Sequence, residues 1–397
     1  MATWVDLGYA GEKVVCFDRH LDLKPLSAQA RSSLDECGND WAAIATANRR
    51  LPVRDVPGAY GLDDFYAAGG HLGLVGELRW VTPRERFAMR PLRRRLLEHV
   101  SSVATAPGIE FRTWFDDAGG LRTDACGIPL VVESLESLSR RRLSRDWRVD
   151  VDLDWFADVV SGQDHEPQDL LDLLVTLDLV DNVDSFTYSI RSGFLPADQR
   201  HLGAATAQAL GRKLVAPLPT GVDPLPAAVF ERLRSGSDAD TGCEVAAELE
   251  SLGTVGVVLR GMLDCRAGDL GAAETGWQEA AEAGSTSTWL AYELGRQFYQ
   301  AQDFTAAARW FDRGRGPLLD TLELSADLMW VLCRVRLGDR EAAQAVIAHS
   351  DRRPLHLGAA QLALDAARST DPAQVEHLSF RVARLETIID PNARRAR

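Results

Sequence analysis

Three things are scarce in this sequence: cysteine pairs at metal-binding spacing, long uncharged apolar runs, and positive charge. The six cysteines (16, 37, 126, 243, 265 and 333) are scattered over 397 residues without a CxxC pair. That spacing excludes a zinc knuckle and argues for reduced, buried thiols over a disulfide framework. No window of about 18 uncharged apolar residues occurs, and the opening MATWVDLGYA has no basic segment ahead of an apolar one. A cytoplasmic protein is the expectation. A formal charge of −14 and a pI near 5.1 exclude a general nucleic-acid binder and a protein held electrostatically on anionic lipid. Two basic runs interrupt that balance, Arg90, Arg93, Arg94 and Arg95, then Arg140, Arg141, Arg142, Arg145 and Arg148. They read as solvated helix faces, with an acidic peptide partner as the alternative.

What is present is ample apolar material, 46% of the chain, enough for two domains. Up to residue 215, short apolar runs alternate with helical patterns. Strands are predicted at 13–18, 77–82, 128–133, 148–154 and 185–191, with a helix over 168–180. Nearly all-apolar strands separated by helices indicate an α/β domain whose mainly parallel sheet is covered on both faces. Ligands in such sheets bind at the carboxyl ends of the strands. Residues 216–242 concentrate prolines ahead of the polar tract SGSDADTG, which marks a linker. Beyond it, over 243–397, strand signals stop and GDLGAA (268–273), QDFTAA (302–307) and GDREAA (338–343) recur at offsets of 34 and 36 residues. The spacing resembles the tetratricopeptide repeat, an all-α solenoid of stacked helix pairs, with three units and a terminal pair to about 390. Such repeats bind peptides or proteins, and a packing or dimerisation appendage is the equal alternative.

The chemistry-bearing feature is the stretch CFDRHLDL. Alternate residues of a strand share a face, about 6.5–7 Å apart, so Asp18, His20 and Asp22 can enter one site as the first strand ends. The run RVDVDLDWF repeats the pattern with Asp150, Asp152 and Asp154. Several carboxylates withdrawn from water need a cation, because each desolvated ion costs several kcal/mol. Oxygen donors plus one imidazole suit manganese, iron or zinc, and shared carboxylates can bridge two ions about 3.5–4 Å apart.

FDRHLD and DVDLD resemble the DxHxD and DxD motifs of the arginase, agmatinase and deacetylase fold. The resemblance is closer to the UPF0489 family: VVCFDRHLDL, DDFYAAGGHLGLVGELRWVTP, VDVDLDWF and TYSIRSGFLP all match its motifs, over about residues 10–205. It implies an arginase-like domain in which Asp18 bridges two ions, His20 ligates one and Asp22 the other. Two of Asp150, Asp152 and Asp154 complete the set, either the first two or the last two. Two Mn²⁺ are implied, with Fe²⁺ or a single Zn²⁺ as alternatives. Some members of that family are associated with peptide arginases, which release urea from arginine side chains of ribosomally made peptides and leave ornithine.

The sequence departs from the arginase pattern in two places. No histidine precedes His20, Asp6 being the nearby acidic substitute, and the glutamate motif that holds the guanidinium is replaced by TYSIRSG. A single-metal amidohydrolase or deacetylase, and a non-catalytic scaffold acting through the repeats, therefore stand as alternative functions. Asp22 and His71 are the candidate catalytic groups, although a histidine placed like His71 is more often packed than a proton shuttle. Ser189, Arg191 and Ser192 are candidate substrate contacts, since an arginine there suits a carboxylate or carbonyl. Asp64 reads as a helix cap, and His165 and His201 as surface residues. The expected substrate is a peptide or a small guanidino compound.

Overall fold

The computed structural model describes residues 1–49, 58–83, 90–104, 106–158, 162–189, 195, 197–213, 249–250, 252–285, 287–315, 321–339 and 341–392. Arg191, Ser192, Cys243 and the expected linker over 216–242 lie outside the described residues. The chain forms two compact units, one of residues 1–87 and 115–237, the other of residues 88–114 and 238–397. The segment 88–114, read from the sequence as part of the α/β domain, thus belongs to the helical unit.

The first unit is built on a seven-stranded sheet. Its strands are β1 (Glu12–Phe17), β2 (Val75–Val81), β3 (Trp114–Phe115), β4 (Leu121–Ala125), β5 (Ile128–Glu133), β6 (Trp147–Asp152) and, after a small hairpin of β7 (Ala157–Asp158) and β8 (Gly162–Gln163), β9 (Val183–Thr187). The order is β3-β4-β5-β2-β1-β6-β9. The five strands from β5 to β9 in that order run parallel. In β1, Val14, Val15, Cys16 and Phe17 are all buried, as expected for a strand covered on both faces. Behind β6, the helix Pro167–Leu177 starts with proline in its first turn, where no N–H is needed. It buries Leu170, Leu173, Leu174 and Leu177 in a cluster with Val149, Val151 and Leu202.

The sheet is not wholly parallel: β4 and β5 form an antiparallel hairpin. Cys126 (φ 51°) and Gly127 (φ 80°) turn the chain between Ala125 and Ile128. Two consecutive left-handed residues match the right-handed twist of the strands they join. The sequence hides β4 because only alternate residues, Leu121, Thr123 and Ala125, are buried.

Gly76 shows how closely β1 and β2 approach. A Cβ there would lie 2.7 Å from the carbonyl oxygen of Gly11, backbone that cannot swing aside. Gly76→Ala is expected to cost about 1–3 kcal/mol, read as a lowered melting temperature.

The second unit is helical, and the sequence repeat fixes its turns. The helices run Thr254–Ala267 and Leu270–Glu282, Thr288–Gln300 and Phe304–Gly314, Thr321–Arg336 and Ala342–Arg352, then Leu357–Thr370 and Val375–Ile389. Gly268, Gln302 and Gly338 end the first helix of three successive pairs with φ of 84°, 63° and 81°. The next residue, Asp269, Asp303 or Asp339, accepts a backbone N–H at the start of the second helix. At the first two turns the recurring Gly/Gln-Asp is therefore a left-handed stop followed by an N-cap, whereas at the third the N-cap is Glu341, whose N–H Asp339 accepts. Within the same unit the helix Arg90–Val100 and the turn Ile109–Arg112 pack on Val375–Ile389. Arg384 donates to the carbonyls of Glu110 and Thr113 at 3.2 and 3.0 Å, and Phe111 stacks on Phe380. No helix among the described residues is long and apolar enough to cross a membrane.

Candidate metal centre

β1 and β6 are adjacent and parallel, with Phe17 opposite Val151, so their carboxyl ends deliver Asp18 and Asp152 side by side. Beyond Phe17 the chain leaves the sheet and bends at Arg19 and His20. The His20 N–H donates to Asp18 Oδ1 at 2.7 Å, and the His20 ring lies against Asp154. β6 stops at Asp152 and tightens into a 3-10 turn over Leu153–Trp155, with Asp152 Oδ1 accepting the Asp154 N–H at 3.1 Å. The turn sends Asp154 back toward β1 instead of onward along the strand.

Two triads result: Asp18, His20 and Asp154, and Asp18, Asp22 and Asp152. In each, one donor atom per residue lies within 4.8 Å of the others. Asp18 belongs to both. Asp18, Asp22, Asp152 and Asp154 are all buried, and His20 is part-exposed. Burial, and then the neighbouring carboxylates, push the carboxyls of Asp18, Asp22 and Asp152 well above the usual range. The Asp22 carboxylate, only 6% exposed, makes no hydrogen bond or ion pair among the described residues. The nearby cations are engaged elsewhere. Arg19 donates to the Asp154 carbonyl at 3.1 Å and pairs with Asp164, and Lys24 pairs with Asp63 at 2.7 Å.

The surroundings orient these groups. Ser189 Oγ donates to Asp152 Oδ2 at 2.6 Å, which makes it a support for Asp152 where a substrate contact was expected. Trp80 Nε1 donates to the Asp18 carbonyl at 2.8 Å. His20 Nδ1 and Asp154 Oδ2 are 2.9 Å apart. Such outer partners fix the direction in which donor atoms point. An oxygen-rich, buried set with one imidazole and an unpartnered carboxylate fits a divalent cation.

Asp150 is in neither triad. Its carboxylate accepts from the Tyr66 hydroxyl at 2.6 Å and from Ser185, so the arrangement gathers Asp152 and Asp154 of the three. His71 ends the helix Phe65–His71, and its Nε2 is 2.9 Å from Asp35 Oδ1. Just beyond it, Gly73 accepts from Gly11, so His71 lies at the amino ends of the strands. About 20 Å of strand separates that end from Asp18; His71 does not reach the cluster. Asp6 is exposed at the end of the helix Ala2–Asp6 and is also outside it. Asp64 occupies the helix N-cap position without capping, because its Oδ1 accepts from Gly61 N–H at 2.6 Å and its Oδ2 pairs with Arg49. His201 is exposed as expected, but His165 is buried, stacked on Trp155 at 4.3 Å, with Nε2 3.0 Å from the Pro83 carbonyl. The flanking aromatic, next to Asp154, pulls it in.

Sequence reasoning missed Arg19, Tyr66, Trp80 and Ser185 as supports. Arg19 was legible, lying inside the motif between two ligand candidates. Comparison with family models, with curated proteins and with solved structures returned no match.

Proposed function

We propose that this chain is a metal-dependent C–N hydrolase, most concretely one that releases urea from an arginine side chain of a ribosomally made peptide, leaving ornithine. One observation carries the reading: Asp18 is shared by two buried triads at the carboxyl ends of adjacent parallel strands. Charge favours two ions over one. Four buried carboxylates balance two divalent cations, whereas a single ion leaves two negative charges desolvated, at several kcal/mol each. Manganese suits this donor set best, with iron as the alternative. The motif resemblance to the UPF0489 family and the arginase-like fold points the same way.

In this reading Asp18, His20, Asp22, Asp152 and Asp154 hold the ions, and Ser189 and Arg19 keep Asp152 and Asp154 aimed. The ions supply Lewis acidity, which makes water nucleophilic near neutral pH. Overall, water adds its oxygen to the guanidino carbon and the bond from that carbon to Nε breaks. Nε then takes a proton to become the ornithine amine, and urea leaves. Asp22, whose carboxylate has no hydrogen bond or ion pair among the described residues, would also steer that proton. The helical unit, read as a tetratricopeptide-like solenoid, grips the peptide away from the chemistry and raises its local concentration. The protein works in the cytoplasm.

A single-metal amidohydrolase is the second reading, favoured by the presence of imidazole in only one triad. Metal analysis joined to mass spectrometry decides between them. The full chain loaded with Mn²⁺ is expected to bind two ions and to convert arginine to ornithine in arginine-bearing peptides, with matching urea. One zinc per chain with release of acyl groups would establish the second reading. Metal-loaded chain that releases neither, yet captures a partner protein, would leave only the scaffold.

A further inference from the structure

We infer that the two halves of the acidic centre select different cations: the half with His20 takes a borderline metal such as zinc or iron, and the half with Asp22 a hard, oxygen-seeking one such as Mn²⁺ or Mg²⁺. The inference rests on the two-ion reading above and goes beyond it, since that reading treats the ions as alike.

The asymmetry is in the donors. One triad is Asp18, His20 and Asp154, the other Asp18, Asp22 and Asp152. Imidazole favours zinc, copper, iron and nickel over the hard cations, while an all-carboxylate set suits magnesium, calcium and manganese. Exposure differs in the same sense. The His20 side chain is 29% exposed, which opens its half to exchange from solution. Asp22 and Asp152 are buried at 6% and 3% exposure. The Asp22 carboxylate is also without a hydrogen bond or ion pair among the described residues, so its half holds the larger uncompensated charge. Asp152 is fixed at both oxygens, Oδ2 by Ser189 at 2.6 Å and Oδ1 by the Asp154 N–H at 3.1 Å, and each oxygen keeps a second lone pair for an ion. His20 Nδ1 and Asp154 Oδ2, by contrast, lie 2.9 Å apart in direct contact. An ion that takes both of these atoms must part them, a loss that only a metal with real affinity for nitrogen repays.

The test uses metal-free full-length chain given one equivalent of Zn²⁺ and then titrated with Mn²⁺. The expected result is one zinc and one manganese per chain, the manganese giving the paramagnetic resonance spectrum of an isolated ion. His20→Gln is expected to lose zinc affinity by more than the roughly 10- to 100-fold that loss of an outer partner costs, with its single manganese retained. Asp22→Asn is expected to keep the zinc and lose the manganese. Spin-coupled manganese pairs in the zinc-treated chain, zinc in both halves, or equal loss of both metals in His20→Gln would overturn the inference. Failure of the two-ion reading looks different: at saturation zinc and manganese together would not exceed one ion per chain.

Discussion

Asp18→Asn is expected to abolish binding of both cations and all turnover, and at the same time to make the metal-free protein more stable. The two effects have one cause. Asp18 is the residue common to both triads, so its loss removes a negative donor from each. Substitution at Asp22 or His20 weakens only one. Asparagine keeps the shape and leaves an acceptor for the His20 N–H that now reaches Asp18 Oδ1 at 2.7 Å. What disappears is a buried carboxyl that must either carry a desolvated charge or hold a proton against the solution pH, since burial first, and then Asp22, Asp154 and Asp152, push it well above its usual range. Most substitutions of buried polar groups destabilise, by about 0.5–3 kcal/mol; this one is expected to stabilise by about as much. In a unit of this size each kcal/mol moves the melting temperature by about 2–4 °C. Melting curves in chelator, with metal analysis of the same samples, check both halves. An Asp18→Asn protein that still binds two ions, or melts lower than wild type in chelator, would remove the shared-ligand assignment.

Four of the five expected strands were legible to within two positions, because parallel strands covered on both faces are written as apolar runs that local sequence cannot easily disguise; the fifth, expected over 185–191, runs from Val183 to Thr187. The cluster was legible in outline for the same reason. It was not legible in detail, since Asp150, Asp152 and Asp154 are chemically identical and evenly spaced. Their fates are set by Tyr66, 84 residues before Asp150, and by the 3-10 turn that swings Asp154 toward His20. The repeat boundaries were readable from Gly268, Gln302, Gly338 and the aspartates after them, a purely local stop-and-start signal. The placement of 88–114 in the helical unit was not. The helix Arg90–Val100 buries Leu96, Leu97 and Val100, a face that fits any apolar neighbour. Its partner is decided by contacts such as Arg384 with the Glu110 and Thr113 carbonyls, some 270 residues away.

Removing the metal is expected to invert the pH dependence of stability. In the metal-free chain Asp18, Asp22 and Asp152 hold their protons to higher pH than they do unfolded, where carboxyls titrate near about 4. Between the unfolded value and the raised folded values the native state binds more protons than the unfolded one. Stability therefore falls as pH rises through that window, with a slope of about 1.4 kcal/mol per pH step of one for each group that keeps its proton. With divalent ions present the protons are displaced and the order reverses, because binding tightens as the carboxylates ionise. A thousandfold excess of ion over its dissociation constant adds about 4 kcal/mol. Two histidines in the helical unit oppose the trend. Burial depresses His349, and holds His356 down to about 4, so both favour the native state above the usual histidine value and withdraw that support as pH falls. The discriminating quantity is accordingly the melting difference between Mn²⁺ and chelator at one pH, in which the helical unit's own titration cancels. That difference should grow from pH 5 to pH 8. A constant difference across the range would mean that no buried carboxylate gives up a proton to the ion, and the centre would lose its physical basis.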